Sequence, residues 1–235
     1  MQLFYNPDLT EDTEHFLFPK EESKHIVKVL RKETGDIMHI TNGKGWLFTA
    51  EITIPNLKSC EAVIVAKELK AKPRYNLHLA VAPTKMNDRY EWFLEKATEI
   101  GIQSITPIIC DHSERKVIKA ERFEKILQSA MKQSLHCYLP TLNPAETFKS
   151  FVDKKHNGSL FIAHCEETDK KSLKTEIKPT SDTTILIGPE GDFSTQEIKL
   201  AIENGFMPVA LGNTRLRTET AAIVACHSVA YSNEL

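Results

Sequence analysis

The sequence predicts an α/β protein in which a small, mostly β domain precedes a larger domain with a parallel sheet. Up to about residue 68, short β-type runs are separated by turn signals such as those at 42–45 and 55–56. Beyond residue 75, apolar strand-like runs alternate with helical patterns, the arrangement of a parallel sheet with crossover helices. The pattern of apolar and polar residues changes within ELKAKPRY. We therefore place the domain boundary there, with domains at 1–72 and 73–235.

The predicted elements follow in chain order. The strands of the first domain are 36–40, 46–54 and 62–66, and those of the second are 77–82, 105–110, 160–163, 184–187 and 209–211. Apolar stripes predict two helices, through Tyr90, Phe93, Leu94, Ala97 and Ile100 and through Phe123, Ile126, Leu127, Ala130 and Met131. A third helix, 221–230, is unusually rich in small residues, which lets another backbone approach closely.

Composition excludes several classes of protein. No run reaches the 18 or so consecutive apolar residues of a membrane span, and 1–20 lacks a secretory leader, so we expect a cytoplasmic protein with no membrane partner. The five cysteines are widely spaced without a C-x-x-C pair, which indicates neither a disulfide framework nor a zinc site. Because the net charge is −2, any contact with nucleic acid must come from local basic patches.

The first candidate for chemistry is ILIGPEGDFS, an apolar run that leads into a glycine turn and then a helix. In open α/β sheets ligands collect at the carboxyl ends of strands, where backbone amides and helix starts lie free. Gly188 and Gly191 permit close backbone approach, and Ser194 and Glu197 have the spacing of a capping box. An ordinary strand-to-helix turn is the alternative. The run is neither a Walker loop nor a G-x-G-x-x-G fingerprint, which disfavours ATP and NAD.

The second candidate is LGNTRLRTET, again a strand end and a polar turn before a helix. Arg217 and Glu219 place a fixed cation beside a carboxylate, a pair that serves binding and proton transfer. Two such loops at successive strand ends imply one shared pocket. Spacing alone equally allows a plain surface loop. A third strand end, FIAHCE, carries His164, which either lines that pocket or is structural.

Basic residues are candidates for phosphate contact. Lys24, Lys28 and Arg31 are spaced i, i+4 and i+7, which places them on one face of a helix. An ordinary solvated surface is the alternative for such a run of charge. Three further basic residues follow strands of the second domain, namely Lys85, Arg89 and Arg115.

Seven segments occur in order along nearly the whole chain: FYNPDL, HIVKVLRKETGD, TNGKGWLFTAEI, KMNDRYEWFLEKATEIGI, ITPIICDHSERK, ILIGPEGDFSTQEI and LGNTRLRTETAA. Through them the sequence resembles the RsmE family of 16S ribosomal RNA uracil-N3 methyltransferases, within the SPOUT superfamily. The last two segments together are the most specific. The chain departs from the family pattern at Asp192, where a glycine is frequent, and at Gln2 and His136, where arginine is frequent.

The resemblance implies a fold, a cofactor and partners. Residues 1–72 would form a PUA-like RNA-binding β-barrel, and 73–235 a SPOUT methyltransferase domain with a C-terminal trefoil knot. Loops 188–191 and 211–218 would hold S-adenosylmethionine without a metal. The implied cofactor-binding residues are Ile162, His164, Ile187, Gly188, Pro189, Glu190, Gly191, Leu211, Gly212, Leu216, Arg217 and Thr218. The implied partners are 16S ribosomal RNA or the small ribosomal subunit, and a second copy of the chain bound near the final helix.

The implied reaction transfers the sulfonium methyl to N3 of a uracil that is unpaired or flipped out of its helix. Arg217 would orient the base or stabilise its anion, and Glu219 and Glu190 are candidates for the general base. Two alternatives stay open. One is a SPOUT methyltransferase acting on another RNA, such as a transfer RNA ribose or base, and the other is a non-catalytic RNA-binding protein.

Overall fold

The computed structural model describes residues 2–167 and 169–234, which divide into two compact units. The first unit comprises Met1–Lys72 together with Met131–Leu139. The second comprises Pro73–Ala130 and Pro140–Leu235. No sequence pattern indicated that Met131–Leu139 belongs with the first unit.

The first unit is built on a five-stranded sheet in the order β1-β3-β4-β5-β2. Its strands are β1 (Leu3–Tyr5), β2 (His15–Leu17), β3 (Ile37–Thr41), β4 (Trp46–Ile54) and β5 (Glu61–Leu69). Alternation buries one face, with Phe48, Ala50 and Ile52 of β4 fully enclosed. The mostly β character predicted for this region is confirmed.

The turn after β3 is held by Met131–Leu139. The Gly45 amide donates to the carbonyl of Cys137 at 2.8 Å, and the Leu139 amide donates to that of Gly43 at 2.9 Å. Gly45 has a φ of +103°, and a side chain there would collide with the ring of Tyr138. Only glycine fits this position, because both its backbone angle and the close ring forbid a Cβ.

The basic segment of the first unit is not a regular α-helix. The single helix face predicted for Lys24, Lys28 and Arg31 is therefore wrong. Helix α1 (Lys20–Lys24) continues as a π-helix over His25–Val29, in which the Leu30 amide donates to the carbonyl of His25 at 2.9 Å. Such i→i+5 turns are wider than α turns, so a residue at i+7 no longer lies on the same face as residue i. Arg31 lies beyond the π-helix in the left-handed region, at φ +54°.

The second unit alternates strands and helices. Its strands are β6 (Asn76–Val81), β7 (Ser104–Ile109), β8 (Thr141–Leu142), β9 (Glu146–Thr147), β10 (Ser159–Ala163), β11 (Lys171–Ser172), β12 (Asp182–Ile187) and β13 (Met207–Ala210). Its helices are α2 (Asn87–Ile100), α3 (Ala120–Gln133, whose end falls in the segment counted with the first unit), α4 (Phe148–Val152), α5 (Leu173–Glu176), α6 (Thr195–Glu203) and α7 (Thr218–Asn233).

The strands of the second unit form one sheet in the order β11-β13-β10-β12-β6-β7-β8, with β9 also paired to β7, and every recorded pairing is parallel. The predicted α/β class with a parallel sheet is confirmed. Helices α4 and α6 bury Phe151 and Ile198 against one face, in a cluster with Leu186 of β12. The knot implied by the resemblance stays a prediction.

Helix α7 begins earlier than the predicted start at residue 221 and packs closely on α2. Its small residues permit this approach, and the Cys226 sulfur lies 3.9 Å from the carbonyl oxygen of Ala97. Within 2–167 and 169–234, no helix is long and apolar enough to cross a membrane.

Candidate functional site

Three strands of the parallel sheet end side by side, and the loops predicted to carry the site follow them. Strand β10 lies between β12 and β13, and Ala163 at its end is in register with Ile187 of β12 and Val209 of β13. Because the strands are parallel, the loops that follow them emerge side by side at one edge of the sheet. The sequence could predict the loops but not this strand order, which depends on pairing between distant segments.

A cleft with two lobes lies among these loops. The first lobe, about 340 Å³, is lined by residues 163–165 and 209–216, with Lys170 and Ala221. The second, about 330 Å³, is lined by 187–190 and 215–218, with Ala163, Cys165, Asp192 and Ala221. Both lobes border the end of β10, the loop after β13 and the start of α7, through the shared residues Ala163, Cys165, Arg215, Leu216 and Ala221.

The loop after β12 is a tight turn held by its own backbone and by Asp192. The Asp192 amide donates to the carbonyl of Pro189 at 2.9 Å, and Asp192 itself has a φ of +65°. Its carboxylate accepts from the amide of Cys165 at 2.7 Å and from that of Phe193 at 2.9 Å. The departure from the family's glycine therefore introduces a carboxylate that joins the loops after β10 and β12.

The helix after this turn begins with the predicted capping box, which is confirmed. The Ser194 hydroxyl accepts from the Glu197 amide, and the Glu197 carboxylate accepts from the Ser194 amide at 2.9 Å. The other oxygen of Glu197 accepts from the amide of Asp111 at 3.0 Å, which joins the loop after β7 to the same helix. Burial raises the pKa of Glu197, and its hydrogen bonds oppose that shift.

The start of α7 is tied to the turn after β12. The buried hydroxyl of Thr218 donates to the carbonyl of Gly188 at 2.9 Å. Gly188 also packs on Phe193, and a Cβ at Gly188 would lie 3.1 Å from that ring. Arg217, immediately before α7, is exposed and lines the second lobe, and its guanidinium has no hydrogen bond or ion pair with another described residue. Its guanidinium is therefore available to a ligand.

His164 is the clearest sign that the cleft takes a ligand. It lines the first lobe, is only 7% exposed, and neither ring nitrogen has a partner among the described residues. Burial lowers the pKa of His164, and Lys170 lowers it further, so the ring is neutral at pH 7. A buried imidazole without partners costs stability unless a ligand supplies a hydrogen bond.

The two candidate bases have different surroundings. Glu190 is exposed in the second lobe, where one carboxylate oxygen accepts from the Lys85 amide at 2.8 Å. Glu219 lies in the first turn of α7, is only 6% exposed, and has an unpartnered carboxylate oxygen. It does not line either lobe. Only Glu190 therefore shares a lobe with Arg217.

Most of the predicted cofactor residues line the cleft, with two exceptions. Ile162 of β10 is fully buried in the core, and a Cβ added at Gly191 would lie 3.1 Å from the Cβ of His112. Three residues of the cleft were not predicted, namely Cys165, Lys170 and Arg215. Arg215 could have been predicted, because it stands in the same motif as Arg217. Lys170 donates to the carbonyls of His164 and Glu166, and no sequence pattern indicated this role.

The predicted RNA-contacting residues are differently engaged. In the first unit Lys24, Lys28 and Arg31 are all exposed. In the second, Arg115 donates to the carbonyls of Thr84 and Lys85, at 3.1 and 2.8 Å. It thereby fixes the loop after β6. The remaining two are Lys85, whose ammonium pairs with Glu114 at 2.8 Å, and Arg89.

Known proteins match this sequence and fold. A family model described as RNA methyltransferase domain matches residues 70–230, and one described as RNA methyltransferase PUA domain matches residues 18–65. A crystal structure of a probable rRNA-methyltransferase from Porphyromonas gingivalis has a TM-score of 0.91 at 40% identity, covering 99% of both chains. The fold is therefore that of an RNA methyltransferase.

Two further relatives narrow the class. The Buchnera aphidicola protein named Ribosomal RNA small subunit methyltransferase E is 32% identical over 95% of this chain and 90% of its own. A protein of that name from Neisseria gonorrhoeae, solved bound to S-adenosyl methionine, has a TM-score of 0.86 at 28% identity, covering 99% of this chain and 98% of its own. The chain belongs to the family of ribosomal RNA small subunit methyltransferases E.

Proposed function

We propose that the protein transfers a methyl group from S-adenosylmethionine to N3 of a uridine in 16S ribosomal RNA, in the cytoplasm. The observation that carries the proposal is the two-lobed cleft at the ends of β10, β12 and β13. It lies in a chain that matches the cofactor-bound Neisseria gonorrhoeae enzyme over nearly its whole length.

The residues of the cleft suit this cofactor. In the first lobe, His164 offers a buried neutral imidazole that lacks a partner among the described residues. The loops 188–190 and 211–216 offer backbone groups along the two lobes. The Thr218 hydroxyl keeps the turn at Gly188 closed against the start of α7. When bound, the cofactor supplies a methyl group activated by its sulfonium charge, so the protein's task is placement of the base and removal of a proton.

The second lobe suits the base. Uracil N3 carries a proton and pairs in a helix, so the base must enter unpaired. The exposed Arg217 guanidinium is placed to orient the base and to stabilise the charge that forms on it. Glu190 is the better placed acceptor of the N3 proton, because its second carboxylate oxygen is not used by Lys85.

The decisive experiment is nucleoside mass spectrometry of small-subunit RNA from a strain that lacks this gene. Its subunits, and separately its free RNA, are incubated with the purified protein and S-adenosylmethionine. We expect a gain of 3-methyluridine. Another methylated nucleoside would assign the protein to a different target, and no methylation of either substrate would favour a non-catalytic RNA-binding protein.

We also propose that the protein acts as a homodimer through α7. The side of α7 that is not covered by α2 presents Val224, His227 and Tyr231, spaced i, i+3 and i+7 on one face, and Tyr231 is 57% exposed. Sedimentation velocity should show a dimer that Tyr231→Glu dissociates. Lys199→Glu, on the exposed side of α6, is the matched control and should leave the dimer intact. A monomeric parent protein would refute the proposal.

A further inference from the structure

A second cavity of the second unit lies away from the cleft, nearer the amino ends of the parallel strands. It measures about 380 Å³ and shares no lining residue with either lobe of the cleft. His78 of β6, Thr106 of β7 and Asn143, which follows β8, form one wall. Phe151 and His156 form another. The methyl transfer proposed above uses none of these residues.

The hydrogen bonds of this wall assign the hydrogen on His78. The Asn143 amide donates to the Thr106 hydroxyl oxygen at 2.9 Å, and His78 Nε2, 2.7 Å from that oxygen, is the acceptor that the described residues offer to the hydroxyl hydrogen. Nε2 is thus an acceptor, and the hydrogen of the neutral ring is on Nδ1. Unlike the ring nitrogens of His164, this Nδ1 is not buried, and it has no partner among the described residues. It is a hydrogen-bond donor on a residue that lines the cavity.

Two lysines, Lys154 and Lys155, and one carboxylate, Glu146, line this cavity. Lys154 is neutralised by Glu146, with its ammonium 2.6 Å from a carboxylate oxygen. Lys155 also lines the cavity, is exposed, and has no ion pair with any described residue. The pKa of His78 is lowered to about 4, mainly by burial, with His156 and Lys154 acting in the same direction and Glu146 opposing them. Because Lys154 is paired with Glu146, Lys155 is the lysine of this lining that is left to attract an anion.

The other histidine completes the lining. His156 Nε2 donates to the carbonyl of Phe151 at 2.8 Å, and its ring lies over Phe151 with centroids 4.6 Å apart. A cavity of this size is at the small end of those that hold organic ligands.

We propose that this cavity is a second binding site, one for an oxyanion such as a phosphate group. Lys155 supplies the charge, and His78 Nδ1 supplies a directed hydrogen bond. The phosphate belongs either to a small metabolite or to an RNA backbone, and both sources present the same chemistry to these two groups.

The test titrates the full-length protein with inorganic phosphate at constant ionic strength and follows the histidine rings by ¹H–¹⁵N NMR. We expect the signals of His78 and His156 to shift and saturate, while those of His164 in the cleft stay in place. The pKa of His78 should rise in the phosphate-bound protein, because an anion stabilises the protonated ring. The readout requires neither cofactor nor methyl transfer.

Lys155→Gln is the informative variant, since Lys155 is exposed and its replacement leaves the wall intact. Loss of one charged contact should weaken phosphate binding about tenfold. Lys174→Gln removes another exposed lysine of the same unit, on α5, and should bind as the parent does. A parallel titration with a short oligouridylate identifies the source, because saturation by it implicates an RNA backbone and saturation by phosphate alone implicates a metabolite.

Three results would overturn the proposal. One is that neither phosphate nor the oligonucleotide moves His78. Another is that all histidines, His164 included, shift together without saturation. The last is that Lys155→Gln binds as tightly as Lys174→Gln.

Discussion

The two ends of the parallel sheet bind in different ways. At the carboxyl end the walls are loops, joined by hydrogen bonds between residues far apart in sequence, such as Asp192 to the Cys165 amide and Thr218 to the Gly188 carbonyl. Nearer the amino end one wall is made of strand side chains, with His78 of β6 held by Thr106 of β7. Substitutions in the loops should therefore change ligand binding, and substitutions in the wall should change stability.

The largest effect is expected at Arg217. Arg217→Ala should lower the rate of methyl transfer about 100-fold, because it removes a fixed cation from the lobe proposed to hold the base. Cofactor affinity measured by calorimetry should change much less, and Arg217→Lys should recover part of the rate. Arg122→Ala, in an arginine of α3 that pairs with Glu91, is the control. Full activity of Arg217→Ala would contradict the role proposed for it.

A smaller effect is expected at Asp192. Asp192→Ala removes both carboxylate hydrogen bonds while φ stays at +65°, and should weaken S-adenosylmethionine binding about tenfold. Asp192→Gly should weaken it less, because glycine adopts that φ without strain. Calorimetric titration of the two variants distinguishes strain from lost hydrogen bonds. Parent-like affinity in both would show that the contact with Cys165 does not shape the cleft.

The smallest effect is on the pH dependence of stability, and it concerns His78 in the wall of the second cavity. The pKa of His78 is lowered from 6.5 to about 4, so between these values the unfolded chain binds a proton that the native chain does not. Stability should therefore fall as pH decreases from 6.5 to 4. In His78→Gln the urea midpoint should fall less over this range, whereas His15→Gln, at an exposed histidine, should follow the parent. Identical slopes in all three proteins would contradict the assignment.

Local patterns predicted much of the molecule. The strand at 46–54 has the predicted bounds, and the capping box of Ser194 and Glu197 forms as its spacing indicated. Each depends on neighbours within a few residues. The π-helix at His25–Val29 was not predicted because its sequence fits an α-helix equally well. The wider turn is shown by the hydrogen bond that the Leu30 amide donates to the His25 carbonyl.

What the sequence could not predict depends on distant contacts. The link of Glu190 to the Lys85 amide and that of Asp192 to the Cys165 amide join loops whose proximity follows only from the strand order. The second cavity is likewise formed by residues from separate elements, with no motif among them. Hydrophobic periodicity assigns a residue to a face of its own element, but it does not specify which elements are neighbours.

The strand order has a consequence for how the chain folds during synthesis. Strand β12 lies near the centre of the sheet, between β6 and β10, although it is one of the last strands to be made. Until residue 187 has left the ribosome, one edge of β6 has no partner, and its buried residues Leu79 and Ala80 are incompletely covered. Pairing across such a sequence separation is slow, so the nascent chain must keep an apolar edge from aggregating while the translating ribosome completes its partner.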